Sequence, residues 1–185
     1  MITFKKREIV YRPYEPYLKL IIDIAMIICA AYLITVSFFH STTVYGYSME
    51  GTLKDNDVVL IDEAIYRISD PKRYDIIVFE ADDKSVADKY VKRIIALPGE
   101  TVQIINGYVY IDGKLLSDDV FKDFIHNAGI AGEAITLAED EYFVLGDNRN
   151  NSDDSRFSNV GLVKYDTIIG KAWVTVYPLA DFSLH

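Results

Sequence analysis

The chain has 185 residues, 50% of them hydrophobic and 25% charged, with 28 acidic against 19 basic side chains and a formal net charge of −9. Length and composition describe one globular folding unit with room for one appendage, which sets aside disorder and collagen-like architectures. The acidic balance argues against nucleic acid as a partner, and one cysteine with three histidines leaves neither a disulfide framework nor enough soft ligands for a structural zinc site.

Residues 1–19 form a basic flank, with Lys5, Lys6, Arg7, Arg12 and Lys19 against Glu8 and Glu15. Residues 20–39 follow as LIIDIAMIICAAYLITVSFF, in which Asp23 is the only charge. As a helix this run is about 30 Å long, the thickness of a bilayer hydrocarbon core. A buried core helix would carry a polar stripe, and none is present. A cleavable leader would be shorter and followed by small residues, whereas bulky Phe38, Phe39 and His40 come next. The pattern predicts a retained transmembrane anchor over 20–39, with 1–19 in the cytoplasm by the positive-inside rule and 40–185 outside. Cys29 then falls inside the bilayer.

Beyond residue 40 the apolar runs become short and alternating. Val58–Asp62, Asp75–Glu80, Lys89–Ile95, Thr101–Ile105, Tyr108–Asp112, Tyr142–Leu145 and Thr167–Tyr177 are rich in Val, Ile, Tyr and Phe and predict strands. Asn106-Gly107 and Asp112-Gly113 tolerate the positive φ of primed turns, so they predict a small antiparallel meander. The acidic interval from Leu116 to Asp140 lacks alternation and reads as an insertion with one helical turn. The fold class is mainly β, behind a single N-terminal helix.

Three segments carry chemistry. Gly46-Tyr47-Ser48-Met49-Glu50-Gly51-Thr52-Leu53 holds a serine in a loop, but Glu50 stands where a nucleophile elbow needs its second glycine. In Tyr90 to Glu100, alternation puts Lys92 with Tyr90 and Ile94 and opposite Val91 and Arg93. Lys92 is either a snorkelling surface lysine or a buried amine whose pKa falls far enough to accept a proton. Gly146 to Arg156 is a polar loop whose aspartates and arginines suggest an internally paired buttress.

Together the three segments resemble the type I signal peptidases, the Ser/Lys membrane endopeptidases of peptidase family S26. That family's nucleophile box is Ser-Met-x-Pro-Thr-Leu, matched here by Ser48, Met49, Thr52 and Leu53. Its lysine box is similar to Lys92-Arg93-x-x-x-Leu97-Pro98-Gly99-Glu100, and its last box to Gly146-Asp147-Asn148-Arg149-x-x-Ser152-x-Asp154-Ser155-Arg156. The resemblance extends over roughly residues 15–178 and looks closest to the Gram-positive branch.

The resemblance implies an antiparallel β catalytic domain, of the kind shared with self-cleaving repressors, over residues 40–185. It implies Ser48 as nucleophile and Lys92 as general base; beside it, none of His40, His126 and His185 looks placed to serve as a histidine base. It also implies Ser152 hydrogen-bonded to the Lys92 amine, the loop fixed by Asp147, Arg149, Asp154 and Arg156, and the Ser48 N–H in an oxyanion hole to which Gly46 adds no hydroxyl. The substrates implied are secretory preproteins, bound as an added strand against Gly46, Tyr47, Met49 and Tyr90. No cofactor or metal is called for. Only about nine residues separate Ser48 from the anchor, so the site is expected to face the lipid bilayer, with Tyr45, Tyr47, Met49 and Leu53 either in the interface or in the core. Gly51 replaces the family proline, and Gly51→Pro is expected to be tolerated if the local φ is near −65°. A non-proteolytic relative that binds preproteins or assists pilus assembly is the rival reading. A self-cleaving repressor would need a DNA-binding domain where the anchor stands.

Overall fold

A computed structural model describes residues 14–80 and 89–185; the basic residues Lys5, Lys6, Arg7 and Arg12 lie outside the described residues. The chain divides between Ser37 and Phe38. Among the described residues the elements are one α-helix, α1 (Glu15–Phe38), and strands β1 (Phe39–Thr43), β2 (Val58–Asp62), β3 (Ile76–Phe79), β4 (Tyr90–Ala96), β5 (Thr101–Ile105), β6 (Tyr108–Ile111), β7 (Lys114–Leu115), β8 (Ile135–Thr136), β9 (Glu141–Leu145), β10 (Val163–Lys164), β11 (Ile168–Tyr177) and β12 (Ser183–Leu184).

The helix begins with Glu15 in its first turn, where a carboxylate favours the positive end of the helix dipole. It starts earlier than the predicted span, and Phe39 already belongs to β1. Leu20, Ile21, Ile24, Ile27, Ile28 and Leu33 are all exposed, so apolar side chains face outward around the helix. A helix apolar on every side suits hydrocarbon rather than water. Among the described residues it is the one helix long and apolar enough to cross a membrane.

In the second unit the main sheet runs β1-β2-β11-β3-β4-β9-β10, with β12 on β11, and a smaller sheet runs β7-β6-β5-β8. Neighbouring strands pair antiparallel. All four side chains of β3 are buried because both faces of the sheet are covered. Ile77 and Phe79 join Ile94 and Val144 in one apolar cluster, whereas Ile76 and Val78 join Met49, Leu53 and Val59 in another. A third cluster lies under the small sheet, where Val102, Ile104 and Val109 meet Ile95, Phe143 and Leu145. The two predicted turns form with all four residues at positive φ, between 50° and 79°. Within the insertion a single 3-10 turn occupies Gly129–Gly132, as the sequence suggested.

Candidate active site

Ser48 lies in the connection between β1 and β2, on a turn closed by Glu50 N donating to Tyr47 O at 3.2 Å and Leu53 N to Met49 O at 2.8 Å. Met49 and Leu53 are fully buried and anchor that turn to the core. This corrects one expectation and decides an alternative that the sequence left open. Met49 does not line the substrate groove, and neither it nor Leu53 is free to rest in a membrane interface, because the spacing that exposes Ser48 turns both into the sheet. Tyr45 and Tyr47 remain exposed.

Lys92 projects from β4 to meet the turn. Its Nζ donates to Ser48 Oγ at 2.8 Å and to Val91 O at 3.1 Å, and lies 5.5 Å from the Tyr90 ring centroid. The side chain is 4% exposed. Burial pulls its pKa down from 10.5 to about 8, against the opposing pull of the Asp154, Asp153 and Asp147 carboxylates. The buried-amine reading of the sequence therefore prevails over the snorkelling one. The pair opens into a groove of about 830 Å³ whose walls include Val44, Gly46, Tyr47, Tyr90, Ser152 and Phe157.

The polar loop after β9 supports this pair through partners partly outside itself. Asp154 pairs with Arg156 at 2.7 Å and accepts the Gly146 N–H at 3.0 Å, as an internal buttress should. Asp147, however, pairs with Arg93 of β4 in a two-bond fork, both bonds 2.7 Å. Arg149 makes a fork of 2.6 Å bonds with Asp119 of the insertion. Arg93 also donates to Thr52 Oγ1 at 3.1 Å, and Asn148 N donates to Ser48 O at 3.0 Å, so the Ser48 turn is tied directly to the loop. Arg93 and Asp119 are the residues the sequence reading passed over. Arg93 sat in the lysine box without a role, and Asp119 lay in an interval with no periodic signal.

Ser152 lines the groove, but its buried Oγ has no hydrogen-bond partner, so the expected bond to the Lys92 amine is not formed. Close packing explains its placement. A Cβ on Gly146 would clash with Ser152 Oγ and stand 2.5 Å from Ser48 O, so only glycine lets the loop approach the Ser48 turn this closely. Gly51 departs further from expectation. Its φ is +109°, and a Cβ there would meet the Phe121 ring at 2.7 Å, so proline cannot take its place without refolding the turn. Among the described residues no cluster of His, Cys, Asp and Glu is arranged to hold a metal ion.

An apolar membrane-type helix precedes an antiparallel β unit that brings a serine hydroxyl onto a buried amine, and comparison with known proteins gives the class of peptidase to which such a chain belongs. The sequence profile described as "Signal peptidase, peptidase S26" matches residues 17–177. The chain belongs to this family. It is 39% identical over 143 residues to "Probable signal peptidase I-2" of Synechocystis, which covers 74% of this chain and 62% of that one. It is 32% identical to "Signal peptidase I U" of Bacillus subtilis, over 97% of this chain and 95% of that one. A crystal structure of a signal peptidase I from Enterococcus faecalis is 36% identical, with a TM-score of 0.44, covering 56% of this chain and 97% of that one.

Proposed function

We propose that the chain is a membrane-anchored serine endopeptidase that removes N-terminal signal peptides from exported preproteins, with Ser48 as nucleophile and Lys92 as general base. The observation that carries the reading is the 2.8 Å bond between Ser48 Oγ and a Lys92 amine whose pKa lies near 8. A serine hydroxyl attacks a carbonyl only as it loses its proton, and an amine titrating near working pH is basic enough to take it and acidic enough to return it.

The steps follow from that pair. Neutral Lys92 accepts the Ser48 proton as Oγ bonds to the scissile carbon, and the carbonyl oxygen becomes an oxyanion facing backbone donors that include Ser48 N–H. The resulting ammonium gives its proton to the departing amine, the peptide C–N bond breaks, and the signal peptide remains as an ester on Ser48. Water, deprotonated by the same amine, then hydrolyses the ester. Nucleophile and proton carrier both come from the chain itself.

The substrate enters as an extended segment. Near Lys92 the outer edge of β4 is open, because β9 pairs with β4 only from Arg93 onward. That edge supports strand addition along the groove, with Gly46, Tyr47 and Tyr90 in contact and small substrate side chains fitting shallow apolar recesses. Asp147, Arg149, Asp154 and Arg156 hold the supporting loop, and Ser152 borders the amine. In this reading residues 1–19 are cytoplasmic, 20–39 span the bilayer and 40–185 work outside; the lipid bilayer and preproteins are the partners, and nucleic acid has no part.

The test is cleavage of a panel of signal-peptide substrates by the detergent-solubilised chain. Ser48→Ala and Lys92→Ala are expected to abolish cleavage while each protein keeps its β-sheet circular dichroism. Activity retained in either folded variant refutes the dyad.

A further inference from the structure

The turn that carries Ser48 is held unevenly. Its first half is fixed by Met49 in the core and by Asn148 N donating to Ser48 O at 3.0 Å. Its second half ends on buried Leu53 and on Thr52, whose N donates to Met49 O at 3.0 Å and whose Oγ1 accepts from Arg93, but it first passes through Gly51 at φ +109°, where glycine has no Cβ to restrict it. The three atoms nearest to a Cβ at this position all belong to the Phe121 ring.

Phe121 comes from the insertion, far from the motif boxes, and it is itself held from two directions. Its backbone N–H donates to Asp119 Oδ1, and Asp119 is locked to Arg149. Its ring lies 5.7 Å from the guanidinium of Arg93, the same group that bonds Thr52 and Asp147. Further along, Asn150 Nδ2 donates to Phe124 O at 2.8 Å, and His126 N donates to Asn150 Oδ1 at 2.9 Å, which fastens this part of the insertion to the loop that borders the groove. Phe121 is absent from the groove walls and lines a separate cleft.

We propose that Phe121 is a positioning residue for the nucleophile: its ring, pressed on Gly51 and braced by Arg93 and the Asp119–Arg149 pair, fixes the glycine link between the Met49 and Leu53 anchors so that Ser48 Oγ stays within reach of Lys92. The proposal rests on the reading of Ser48 as nucleophile. It makes the insertion part of the catalytic machinery and gives a structural reason why a glycine serves at residue 51. Because Phe121 touches neither the groove nor the amine, its removal acts on the rate of acylation and leaves substrate affinity and the titration of Lys92 alone.

The experiment is steady-state cleavage of a signal-peptide substrate by the full chain in detergent, with kcat, KM and the pH profile measured for Phe121→Ala, Phe121→Leu and Phe121→Met beside Ser48→Ala. Phe121→Ala is expected to lower kcat by about tenfold or more, since small displacements of a reacting atom are that costly. KM is expected to stay within about twofold and the apparent pKa to hold, while Phe121→Met, long enough to reach Gly51, recovers most of the rate. If Phe121→Ala does not fold, Phe121→Leu keeps apolar volume but not reach, and its kcat carries the same test. A purely structural ring would lower the melting temperature and leave kcat per folded molecule unchanged; that result, or a change confined to KM, overturns the proposal. Cleavage retained by Ser48→Ala would instead overturn the underlying reading.

Discussion

Replacing Lys92 with methionine tests the physical basis of the site without an activity assay. The amine is 4% exposed, and its pKa falls from 10.5 in the free side chain to about 8 in the folded protein. Between those pH values the unfolded chain binds a proton that the folded chain does not, so stability rises with pH across this window. Below about pH 8 the folded protein carries the whole cost of a buried ammonium, about 3 kcal/mol for a shift of this size. Methionine fills similar space without a charge, and it gives up the bonds to Ser48 Oγ and Val91 O, worth about 1 kcal/mol each. Lys92→Met is therefore expected to be more stable at pH 7 by about 1 kcal/mol, a rise in melting temperature of about 2–4 °C for a chain of this size, and to be inactive. The margin should shrink and reverse as pH rises from 8 toward 10.5. Thermal unfolding of the detergent-solubilised protein at pH 7 and pH 10, followed by circular dichroism, reads both quantities. A variant less stable than the native chain at pH 7, or a difference that ignores pH, would show that burial of this amine is not a strain on the fold.

Further substitutions separate the other contributions. Activity should rise with pH through about 8 as Lys92 loses its proton, and a flat profile from pH 6 to 9 would remove the amine from the role of base. Gly51→Pro should destabilise by more than about 1 kcal/mol, because φ is +109° and a Cβ would strike Phe121; a higher melting temperature would refute the observed turn. Arg93→Met should cost about 3–5 kcal/mol by leaving Asp147 buried and unpaired, and Arg93→Met combined with Asp147→Leu should recover much of it in denaturant titrations. Ser152→Ala should leave stability within about 0.5 kcal/mol, since its Oγ makes no bond; a larger loss would mean the hydroxyl does hold the amine.

The strands were legible because β2, β5 and β6 are bounded by turn residues and alternate in burial, and the meander followed from two dipeptides that tolerate the positive φ of a primed turn. The short pairings β7, β8, β10 and β12 were not, since two residues carry no period and form only where tertiary contact supplies a partner. Ser48 and Lys92 were legible through motif spacing and strand alternation. The support around them was read less well, because an ion pair leaves no local trace: Asp147 to Arg93 spans 54 residues and Arg149 to Asp119 spans 30. The same limit applies to Gly51, whose effect depends on a φ that no neighbouring residue announces and on a ring seventy positions away.

Those ion pairs also bear on why the amine titrates where it does. In the proposed mechanism Lys92 must be dry enough to lose its proton near neutral pH, yet basic enough to take one from serine, and burial alone would satisfy only the first demand. The carboxylates of Asp154, Asp153 and Asp147 pull its pKa upward, but two of the three are already engaged, Asp154 by Arg156 and Asp147 by Arg93. A paired carboxylate exerts a weaker net field on a third charge than a bare one does, because its partner's positive charge opposes it. The arginines thus do more than brace the loop: they moderate the carboxylates that would otherwise hold the amine charged. On this argument an arginine lost from the buttress should raise the apparent pKa of activity as well as destabilise the fold, whereas a loop that only braced would change stability and leave the titration where it is.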